Sequence, residues 1–574
     1  MKEGERRPGL ALAVLFVAAL GLRFAVLAAL ARTPFLTTLV GDSVVYDAWA
    51  DEIRRDVVGH DVFYSAPLYP YFLAAVYAVF GHGALVARVV QAILGAATCV
   101  LVATAGARLF SRRVGLLAGA LVAVSGPCLF FGALVHKASL DLFLTAALLD
   151  VASRVVTGQG ASRLRWAFVS GAVLGALALA RENALLLFPL LGVAFVAVLE
   201  RGARVRAVAA FVVGGAFVLM PVALRNRAVG GELVLTTSQF GANFYLGNHA
   251  DADGTYVPLR PGHADVASEH ADAVEIAERA AGHELTAREV SSYWSSRAWS
   301  WMRAHPGDWA RLTARKWRLL WSAREIPDSD EILVYADASL VVRLGATLFG
   351  FGTFAALAAA GLVASWPARR RVAILYLVVG GLAAATVPFV IFGRYRVALY
   401  PPLALFAAAG VARMFELARE RPPRVALAGL ASLVVVAAVV TALPTGGPSN
   451  DVRRGTAFYN LAVTQDARGD LDEAVASYRR ALALDPTAAQ AHVNLGALLA
   501  RGGAFAEAIA EETAALRLQP RDAIAHVDLA NALLESGHLV EAEAHYRQAL
   551  RLAPDQPDAL AGLEALENAR AGAR

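Results

Sequence analysis

The chain has 574 residues, of which 57% are hydrophobic and only 18% are charged, and its mean hydropathy is +0.51. A soluble globular protein carries about a quarter charged residues, so this composition excludes an ordinary soluble enzyme and predicts an integral membrane protein. The formal net charge of +5 comes largely from arginine clusters beside apolar runs, which indicates membrane topology rather than nucleic-acid binding. The two cysteines, Cys99 and Cys128, lie in apolar runs and support neither a disulfide framework nor a cysteine metal site.

Apolar runs of about 17 to 25 residues can each cross a bilayer as a helix, and the sequence contains about eleven of them. They lie at 9–31, 85–111, 114–132, 138–156, 166–182, 183–200, 207–224, 339–365, 371–391, 397–414 and 424–443. A cleaved signal peptide is an alternative for the first run, because "ALA" at 29–31 resembles a cleavage site. We favour a span, because this run is longer than a usual signal core and carries Arg23.

Arginine-rich joints between the runs predict the orientation through the positive-inside rule. They are "KEGERR" at 2–7, "SRR" at 111–113, "RLR" at 163–165, "ERGARVR" at 200–206, "ARRR" at 368–371 and "ARERPPR" at 418–424. All of them fall on one side if the N-terminus is cytoplasmic. The chain is therefore predicted to be a multi-pass protein of the bacterial inner (plasma) membrane, with its C-terminal region on the periplasmic or extracellular side.

Two long external loops, 32–84 and 225–338, separate the spans. The apolar stretch after Pro67 is short for a span and predicts an interfacial helix. The second loop contains "HPGDWARLTARKWRLLWS", with basic residues between three tryptophans, a pattern typical of helices at headgroup level: Trp309, Trp317 and Trp321. Such a helix either packs on the membrane domain as a surface helix or contacts a lipid substrate.

The composition changes after Pro444, where three similar units follow a short linker. Gly469, Gly503 and Gly537 recur 34 residues apart, as do the prolines that end each unit, which is the tetratricopeptide period. The sequence therefore predicts a membrane domain at 1–443, a linker at 444–456 and a tetratricopeptide α-solenoid at 457–574. Such an array offers a concave surface for a peptide or protein partner, or serves as a stability or spacing module.

The sequence lacks the motifs GxxxxGK[ST], HExxH, CxxC and GxSxG. Without the phosphate-binding loop GxxxxGK[ST], the chain has no site at which ATP hydrolysis could drive transport. Polar residues instead cluster at the outer ends of apolar helices, where the cost of charge near lipid makes each a functional candidate. They lie in "GDSVVYDAWADEI" (41–53), "ALVHKASLD" (133–141), "ARENALLLFP" (180–189), "LRNRAVGGELVLTTSQFGANFYLGN" (224–248) and "FGRYRVALYPP" (392–402). In the predicted topology all five face the same side, which argues for one shared polar cavity.

These pieces, together with "APLYPYFLAAVYAVFG" at 66–81, occur in an order that resembles the polytopic glycosyltransferases with a GT-C fold. The resemblance is to the dolichyl-phosphate-mannose–protein mannosyltransferase-like superfamily, which includes the bacterial aminoarabinose transferases. It implies an inverting transferase that takes a sugar from a polyprenyl-phosphate donor and delivers it to a lipid, glycan or protein acceptor. A catalytic base in the first external loop would be Asp42.

The resemblance and the clustering also predict the residues that bind the substrates: Tyr46, Asp47, Tyr64, His136, Lys137, Arg181, Glu182, Arg225, Asn248, Arg394, Tyr395 and Arg396. The cations among them would stabilise the departing phosphate. Alternatively, Asp42 caps a helix with Ser43 and Arg181 forms a neutralising pair with Glu182. The sequence shows no need for a cofactor or a protein metal site, and leaves a divalent metal requirement open.

Two features depart from the family pattern. The protein mannosyltransferases have an acidic pair where this chain has one carboxylate followed by Asp47, and the aminoarabinose transferases have a lysine where this chain has Ser65–Ala66. Lys137 or Arg394 would then bind the phosphate. An O-antigen ligase or polymerase remains an alternative, although its large external loop would come later in the chain. A non-catalytic scaffold or transporter that uses the repeats for binding is the other alternative.

Overall fold

A computed structural model describes residues 8–55, 62–260, 266–419 and 424–572, and these residues form helices and loops without strands. The predicted basic run at 2–7 and part of that at 418–424 lie outside the described residues. The chain divides into two compact units. The second consists of Thr38–Val40, Ser329–Val334 and the chain from Gly447 onward, and the first contains the rest.

The chain up to Ala442 forms helices α1 to α21. They are α1 (Pro8–Leu30), α2 (Asp42–Arg54), α3 (Leu68–Phe80), α4 (Ala84–Leu109), α5 (Arg112–Val124), α6 (Gly126–Ala133), α7 (Ala138–Thr157), α8 (Gly160–Ala180), α9 (Leu187–Val198), α10 (Arg201–Gly230), α11 (Phe240–Gly247), α12 (Val266–Ala281), α13 (Ala287–Ala304), α14 (Pro306–Leu320), α15 (Ile332–Ala338), α16 (Leu340–Leu348), α17 (Phe351–Ser365), α18 (Ala373–Thr386), α19 (Gly393–Arg396), α20 (Tyr400–Arg419) and α21 (Arg424–Ala442).

Seven helices in the described residues are long and apolar enough to cross a membrane, and an eighth candidate is the pair α5 and α6, which is bent by 57°. Three shorter apolar helices, Leu68–Phe80, Glu182–Val198 and Ala373–Thr386, accompany them. The predicted polytopic helical fold is confirmed. The eleven predicted runs are all largely helical, but 114–132 and 339–365 each comprise two helices. Three of the runs do not qualify as spans, because α7 carries three charged residues and α9 and α18 are short.

Close helix packing in the first unit depends on glycine at particular crossings. In α8 and α10, a Cβ at Gly171 would lie 1.8 Å from the Phe211 carbonyl oxygen, and one at Gly214 would lie 2.0 Å from the Phe168 carbonyl oxygen. Backbones that approach this closely are typical of membrane helix pairs, in which small residues replace a hydrophobic driving force.

The tryptophan-rich segment forms α14, as its pattern predicts. Trp309 and Trp317 are 37% and 49% exposed, whereas Lys316, counted among the basic flanking residues, is only 1% exposed and donates to Asn248 Oδ1 at 3.3 Å. Burial lowers the pKa of Lys316 to about 7. The structure thus separates this lysine from the arginines of the same helix, because it lies on the packed face.

The second unit contains the repeats. Its helices are α22 (Asn450–Arg468), α23 (Leu471–Leu484), α24 (Ala489–Arg501), α25 (Phe505–Leu518), α26 (Ala523–Glu535), α27 (Leu539–Leu552) and α28 (Pro557–Gly572). The first six form three helix pairs, and Gly469, Gly503 and Gly537 turn the chain within each pair with φ of 82°, 79° and 84°. Other residues avoid this left-handed conformation, which explains the recurring glycine.

The middle repeat contains a buried acid where its neighbours have tyrosine. Tyr478 and Tyr546 are buried and hydrogen-bonded, but Glu512, at the equivalent position, is 0% exposed and its carboxyl oxygens have no partner among the described residues. Burial raises the pKa of Glu512 to about 9, and the negative charge of Asp528 contributes. The side chain is therefore held as a neutral acid at neutral pH.

We expect this acid to make the repeats less stable as pH rises. An unfolded Glu512 loses its proton above its ordinary pKa of 4.5, whereas the folded one retains it up to about 9, so the unfolding free energy falls between these values. The protection of α24 to α26 in the full chain, measured as the hydrogen-exchange rate relative to the intrinsic rate at the same pH, should be greater at pH 5 than at pH 8, and Glu512→Gln should reduce the difference. The exposed Glu507 provides a control, and an unchanged difference in Glu512→Gln would contradict this expectation.

Candidate active site

A cavity of about 620 Å³ lies within the first unit and has a polar and an apolar part. Its polar lining comprises Asp42, Tyr46, Ser65, Lys137, Arg181, Glu182, Asn183, Thr236, Thr237, Gln239, Asn243, Glu269, Thr386, Arg394 and Tyr395. Its apolar lining includes Leu185, Leu186, Phe240, Phe244, Trp299, Ala384, Ala385, Phe389 and Val390. The structure thus brings seven of the predicted site residues together, although they span more than 350 positions of the chain.

Asp42 occupies the first position of α2, immediately after Gly41, whose φ of 55° turns the chain into the helix. The start of α2 has no side-chain cap hydrogen bond, so the alternative in which Asp42 serves as a cap is not what the structure shows. Its carboxylate instead pairs with the guanidinium group of Arg394. Arg394 also pairs with Asp328 at 2.9 Å, so one guanidinium group joins two carboxylates from distant loops.

The environment keeps Asp42 ionised. Burial by itself raises the pKa of this carboxyl group, but the positive charge of Arg394, the hydrogen bond from His136 and the charge of Lys137 outweigh burial and hold the pKa well below its usual range. Asp42, which lines the cavity, is therefore a carboxylate at neutral pH. This is the protonation state that a proton acceptor requires.

His136 is oriented by the backbone at the start of α7. Its Nδ1 accepts a hydrogen bond from the amide of Ala138 at 3.1 Å, which assigns the proton of the neutral ring to Nε2. That nitrogen lies 3.6 Å from Asp42 Oδ2. Burial lowers the pKa of His136, and the nearby charge of Arg394 lowers it further against the effect of Asp42, so the ring is neutral and supports the carboxylate as a donor.

Arg181 is a structural member of the site. It donates to Asp141 Oδ2 at 3.1 and 3.0 Å and to the carbonyl oxygens of Tyr395 and Arg394 at 2.8 and 3.0 Å. The proposed pair with Glu182 is therefore wrong. Glu182 instead accepts a hydrogen bond from Gln239 at 2.7 Å. Arg181 fixes the backbone that carries Arg394.

Lys137 differs from the other cations of the cavity. Among the described residues its ammonium group has neither a recorded hydrogen bond nor an ion pair, and it lines the cavity directly. Burial lowers the pKa of Lys137, while the negative charges of Glu182 and Asp141 act in the opposite direction. A half-buried ammonium group for which the described residues record no partner is suited to an anionic ligand.

Glu269 on α12 is a lining residue that the sequence did not single out. Its carboxyl oxygens accept hydrogen bonds from Tyr64 at 3.3 Å and from Tyr256 at 2.9 Å, and the Tyr64 ring stacks on His270 at 4.1 Å. Burial raises the pKa of Glu269 despite these hydrogen bonds. Tyr64 therefore does not line the cavity itself, but it donates a hydrogen bond to Glu269, which does.

Six of the predicted residues are not among those that line the cavity: His136 and Tyr64, described above, and four others. Asp47 accepts hydrogen bonds from Tyr77 and His82, and Arg225 lies 3.9 Å from the centre of the Phe63 ring. Asn248 holds two backbone carbonyl groups through its Nδ2. Arg396 is fully buried and binds Glu325 and two carbonyl oxygens. Each of these four side chains therefore interacts with other groups of the protein.

A divalent metal ion would find ligands beside Asp42. One atom each from Asp42, His136 and Asp328 lie within 4.8 Å of one another, and carboxylate and imidazole ligands suit several divalent ions. Arg394 pairs with both carboxylates of this group. A metal ion and the guanidinium group would therefore compete for the same two carboxylates.

This competition predicts that removing the guanidinium group strengthens metal binding. In Arg394→Ala the two carboxylates lose their cation, so we expect the affinity for Mn²⁺ to rise about tenfold or more over the wild type. Calorimetric titration of the purified protein with Mn²⁺ measures the change. The additional substitution Asp328→Asn should reverse the gain, and equal affinities of all three proteins would refute the competition.

Comparisons with known proteins match parts of both units. Residues 64–224 match the family model described as dolichyl-phosphate-mannose-protein mannosyltransferase, and 467–503 and 513–557 match models of tetratricopeptide repeats. The resemblance predicted from the sequence is thereby confirmed, and residues 64–224 carry the signature of a glycosyltransferase family. This match includes Lys137 and Arg181 but not Asp42 or Arg394. No curated protein matches the chain.

Solved structures match the chain at low identity and with TM-scores below 0.5. The apo oligosaccharyltransferase of Archaeoglobus fulgidus is 13% identical, with a TM-score of 0.44, and the match covers 78% of this chain and 57% of that one. ArnT from Cupriavidus metallidurans bound to undecaprenyl phosphate is 15% identical, with a TM-score of 0.41, and the match covers 95% and 81%. The first TPR domain of Spaghetti (RPAP3), bound to an HSP90 peptide, is 23% identical, with a TM-score of 0.21, and the match covers 22% and 99%.

Proposed function

We propose that the chain is an inverting glycosyltransferase that moves a sugar from a polyprenyl-phosphate donor to a hydroxyl group of an acceptor. The reaction would take place in this cavity, on the periplasmic or extracellular side of a bacterial inner membrane. The observation that carries the proposal is an ionised carboxylate, Asp42, in one cavity with the ammonium group of Lys137, for which the described part of the chain records no partner, beside an apolar wall. The family match at 64–224 supports the same class of reaction.

The two parts of the cavity suit the two parts of such a donor. The apolar wall, which includes Leu186, Phe240 and Phe389, accommodates the first isoprenoid units of a lipid tail. Lys137 at the polar end binds the phosphate as a point charge. Arg394 adds positive charge at the same end, although its guanidinium group already forms ion pairs with Asp42 and Asp328.

The reaction is a single displacement at the anomeric carbon. The acceptor oxygen forms a bond to that carbon as its proton moves to Asp42, and the bond from the carbon to the phosphate oxygen breaks with its electron pair on the phosphate. Lys137 stabilises the charge on the departing polyprenyl phosphate. One displacement inverts the anomeric configuration, and the proton on Asp42 is afterwards released to water.

Asp42 is oriented for this role by neighbours that do not react. His136 Nε2 lies 3.6 Å from the carboxylate and 3.3 Å from Arg394 Nη1, and Arg394 pairs with the carboxylate. Arg181 fixes the backbone of Arg394 and Tyr395 through their two carbonyl groups. A base held in one orientation needs little rearrangement in the transition state. We further propose that the repeats bind a peptide or protein partner that brings the acceptor to the enzyme.

Transfer assays with the purified protein test the proposal. Reconstituted protein is incubated with radiolabelled polyprenyl-phosphate monosaccharides and an extract of surface glycolipids, and the release of polyprenyl phosphate is followed with the glycosylated product. Mass spectrometry of glycolipids and glycoproteins from a deletion strain would identify the missing sugar. Absence of polyprenyl phosphate release with every donor, in a protein that still binds the carrier lipid, would refute the proposal. Turnover only with diphosphate-linked oligosaccharides would instead indicate a ligase.

A further inference from the structure

The first helices of the three repeats carry one polar side chain each at a shared position. These side chains are Asn460 on α22, Asn494 on α24 and Asp528 on α26, and they recur 34 residues apart in the sequence. All three are half-buried. Equivalent positions of stacked repeats follow one another along the stack, so the three residues form a row along one face of the second unit, which we call the repeat row.

The first member of the repeat row binds a segment of the chain itself. Asn460 Nδ2 donates to the carbonyl oxygen of Ser329 at 3.0 Å, and the segment Ser329–Val334 belongs to the same unit. Arg453, which lies two helical turns before Asn460 on the same face of α22, pairs with Glu331 at 2.8 Å. The repeat row therefore accepts a peptide backbone at its first position, beside an arginine that meets an opposite charge on the bound segment.

The second member of the repeat row is satisfied by the repeats. Asn494 Nδ2 donates to Tyr478 Oη at 3.2 Å and to Tyr459 Oη at 3.4 Å, and Gln490 Nε2 donates to Asn494 Oδ1 at 2.9 Å. Tyr478 lies on α23, in the second helix of the preceding repeat. The junction between the first two repeats is therefore closed by neutral groups that bind one another.

The junction between the second and third repeats has two acids at the same positions. Glu512 and Asp528 follow Tyr478 and Asn494 by 34 residues each, which places them across this junction. The Glu512 carboxyl group lies against α24, where a Cβ at Gly496 would collide with it. Glu512 is 0% exposed, and neither acid has a recorded hydrogen bond or ion pair among the described residues. We call Glu512 and Asp528 the acid pair.

The surroundings of the acid pair supply no positive charge to it. The charges that shift its two pKa values are all negative, and besides the partner acid they are Asp522, Glu511 and Asp558. Burial is the first cause and raises the pKa of Asp528 to about 6, as it raises that of Glu512. The histidine of α24, His492, pairs with Glu511 at 2.6 Å. A ligand that carries a positive charge would offset the cost of burying these carboxyl groups among like charges.

We propose that the repeat row is a peptide-binding surface and that its acid pair, Glu512 and Asp528, binds a lysine or arginine side chain of a partner protein. Asp528 is half-buried, so the incoming side chain meets it first, and Glu512 accepts a second hydrogen bond behind it. Both hydrogen bonds are charge-assisted, whereas an acidic side chain is repelled. This inference rests on the proposed function only where that function has the repeats bind a partner, and the transfer reaction does not enter it.

Peptide mixtures with one fixed position test this selection. The probes are fluorescein-labelled octapeptides in which one central residue is lysine, arginine, norleucine or glutamate, and the other positions hold equal mixtures of neutral residues. Fluorescence polarisation measures their binding to the purified full chain. We expect the wild type to bind the lysine and arginine mixtures about tenfold or more tightly than the norleucine mixture, the effect of a charge-assisted hydrogen bond. The glutamate mixture should bind most weakly.

Variants of the acid pair separate this pocket from general attraction of basic peptides. Asp528→Asn introduces the residue found at the same position of the preceding repeat, and Glu512→Gln keeps the size of the side chain, so both proteins should fold. In each, the preference for lysine over norleucine should fall to about threefold or less. Glu507→Gln changes an exposed acid of α25 that pairs with Arg479, and should retain the full preference.

Three results would overturn the inference: equal binding of the lysine and norleucine mixtures by the wild type, binding of none of the mixtures, or an unchanged lysine preference in both acid-pair variants. Failure of the transfer assay would leave these binding measurements as they are. Equally, loss of the lysine preference would leave the reaction at Asp42 as proposed, so the two failures are distinguishable.

Discussion

Asp42→Asn is expected to abolish sugar transfer while the protein still folds and binds its carrier lipid. Asparagine has the same size and keeps a hydrogen bond to His136 and Arg394, but it cannot take a proton from the acceptor. Removing a general base typically lowers the rate by about 10² to 10⁴, so kcat should fall to about one thousandth or less. Since the loss affects only the transition state, the Kd for undecaprenyl phosphate should remain within about threefold of the wild-type value.

The measurement compares turnover and lipid binding in the same preparation. Asp51→Asn, which changes an acid paired with Arg54 and Arg55 on the same helix, is the matched control and should retain turnover. Asp42→Glu moves the carboxylate by about one bond length and should retain only part of the activity, because the base must lie within hydrogen-bond reach of the acceptor. Full turnover in Asp42→Asn would exclude Asp42 as the base.

Much of the fold could be predicted from the sequence because its physical causes are local. A bilayer accepts only segments that satisfy their own backbone hydrogen bonds, so long apolar runs become helices whatever their neighbours are. The 34-residue period fixes the repeats in the same way, since each glycine is required by its own turn. Runs at 138–156 and 183–200 show where this reasoning weakens. The first carries buried charges in a helix, and the second begins with a 3₁₀ turn at Glu182–Leu186.

The polar residues of the site could be predicted only in part. Lys137, Arg181 and Arg394 were recognisable because each interrupts or borders an apolar run. Asp328 and Glu269 were not, because each lies in a long polar segment where a single acid has no contrast with its surroundings. On α12, nothing in the local sequence distinguishes Glu269 from Glu275 or Glu278. Only the fold shows which of these acids faces the cavity.

Adjacency in the sequence also suggested an ion pair that the structure does not contain among its described residues. Arg181 and Glu182 are adjacent and oppositely charged, which favours a pair, but adjacent side chains on a folded backbone point in different directions. Arg181 is extended at the end of α8, with φ of −153°, and Glu182 begins the 3₁₀ turn. Their side chains therefore reach Asp141 and Gln239, from other parts of the chain.

Lys137→Gln is expected to weaken binding of the lipid phosphate by about tenfold or more. The side chain is half-buried, lines the cavity and has no recorded protein partner in the described residues, so its charge is available to a ligand. A charge-assisted hydrogen bond to phosphate contributes about 1.5 to 3 kcal/mol, which corresponds to about 10- to 150-fold in affinity. Because the phosphate gains charge as the sugar departs, kcat should fall as well, and more than binding alone explains.

Calorimetry with undecaprenyl phosphate and with undecaprenol separates the role of the charge from that of the lipid tail. Lys137→Gln should lose affinity for the phosphate and bind undecaprenol as the wild type does, because the apolar wall is unchanged. Lys316→Met removes a buried lysine that does not line the cavity, and should preserve the affinity for both lipids. Lys137→Arg keeps the charge and should restore most of the binding. If Lys137→Gln binds undecaprenyl phosphate as tightly as the wild type, the phosphate lies elsewhere, and Arg394 becomes the residue to test because it is the remaining cation beside Asp42.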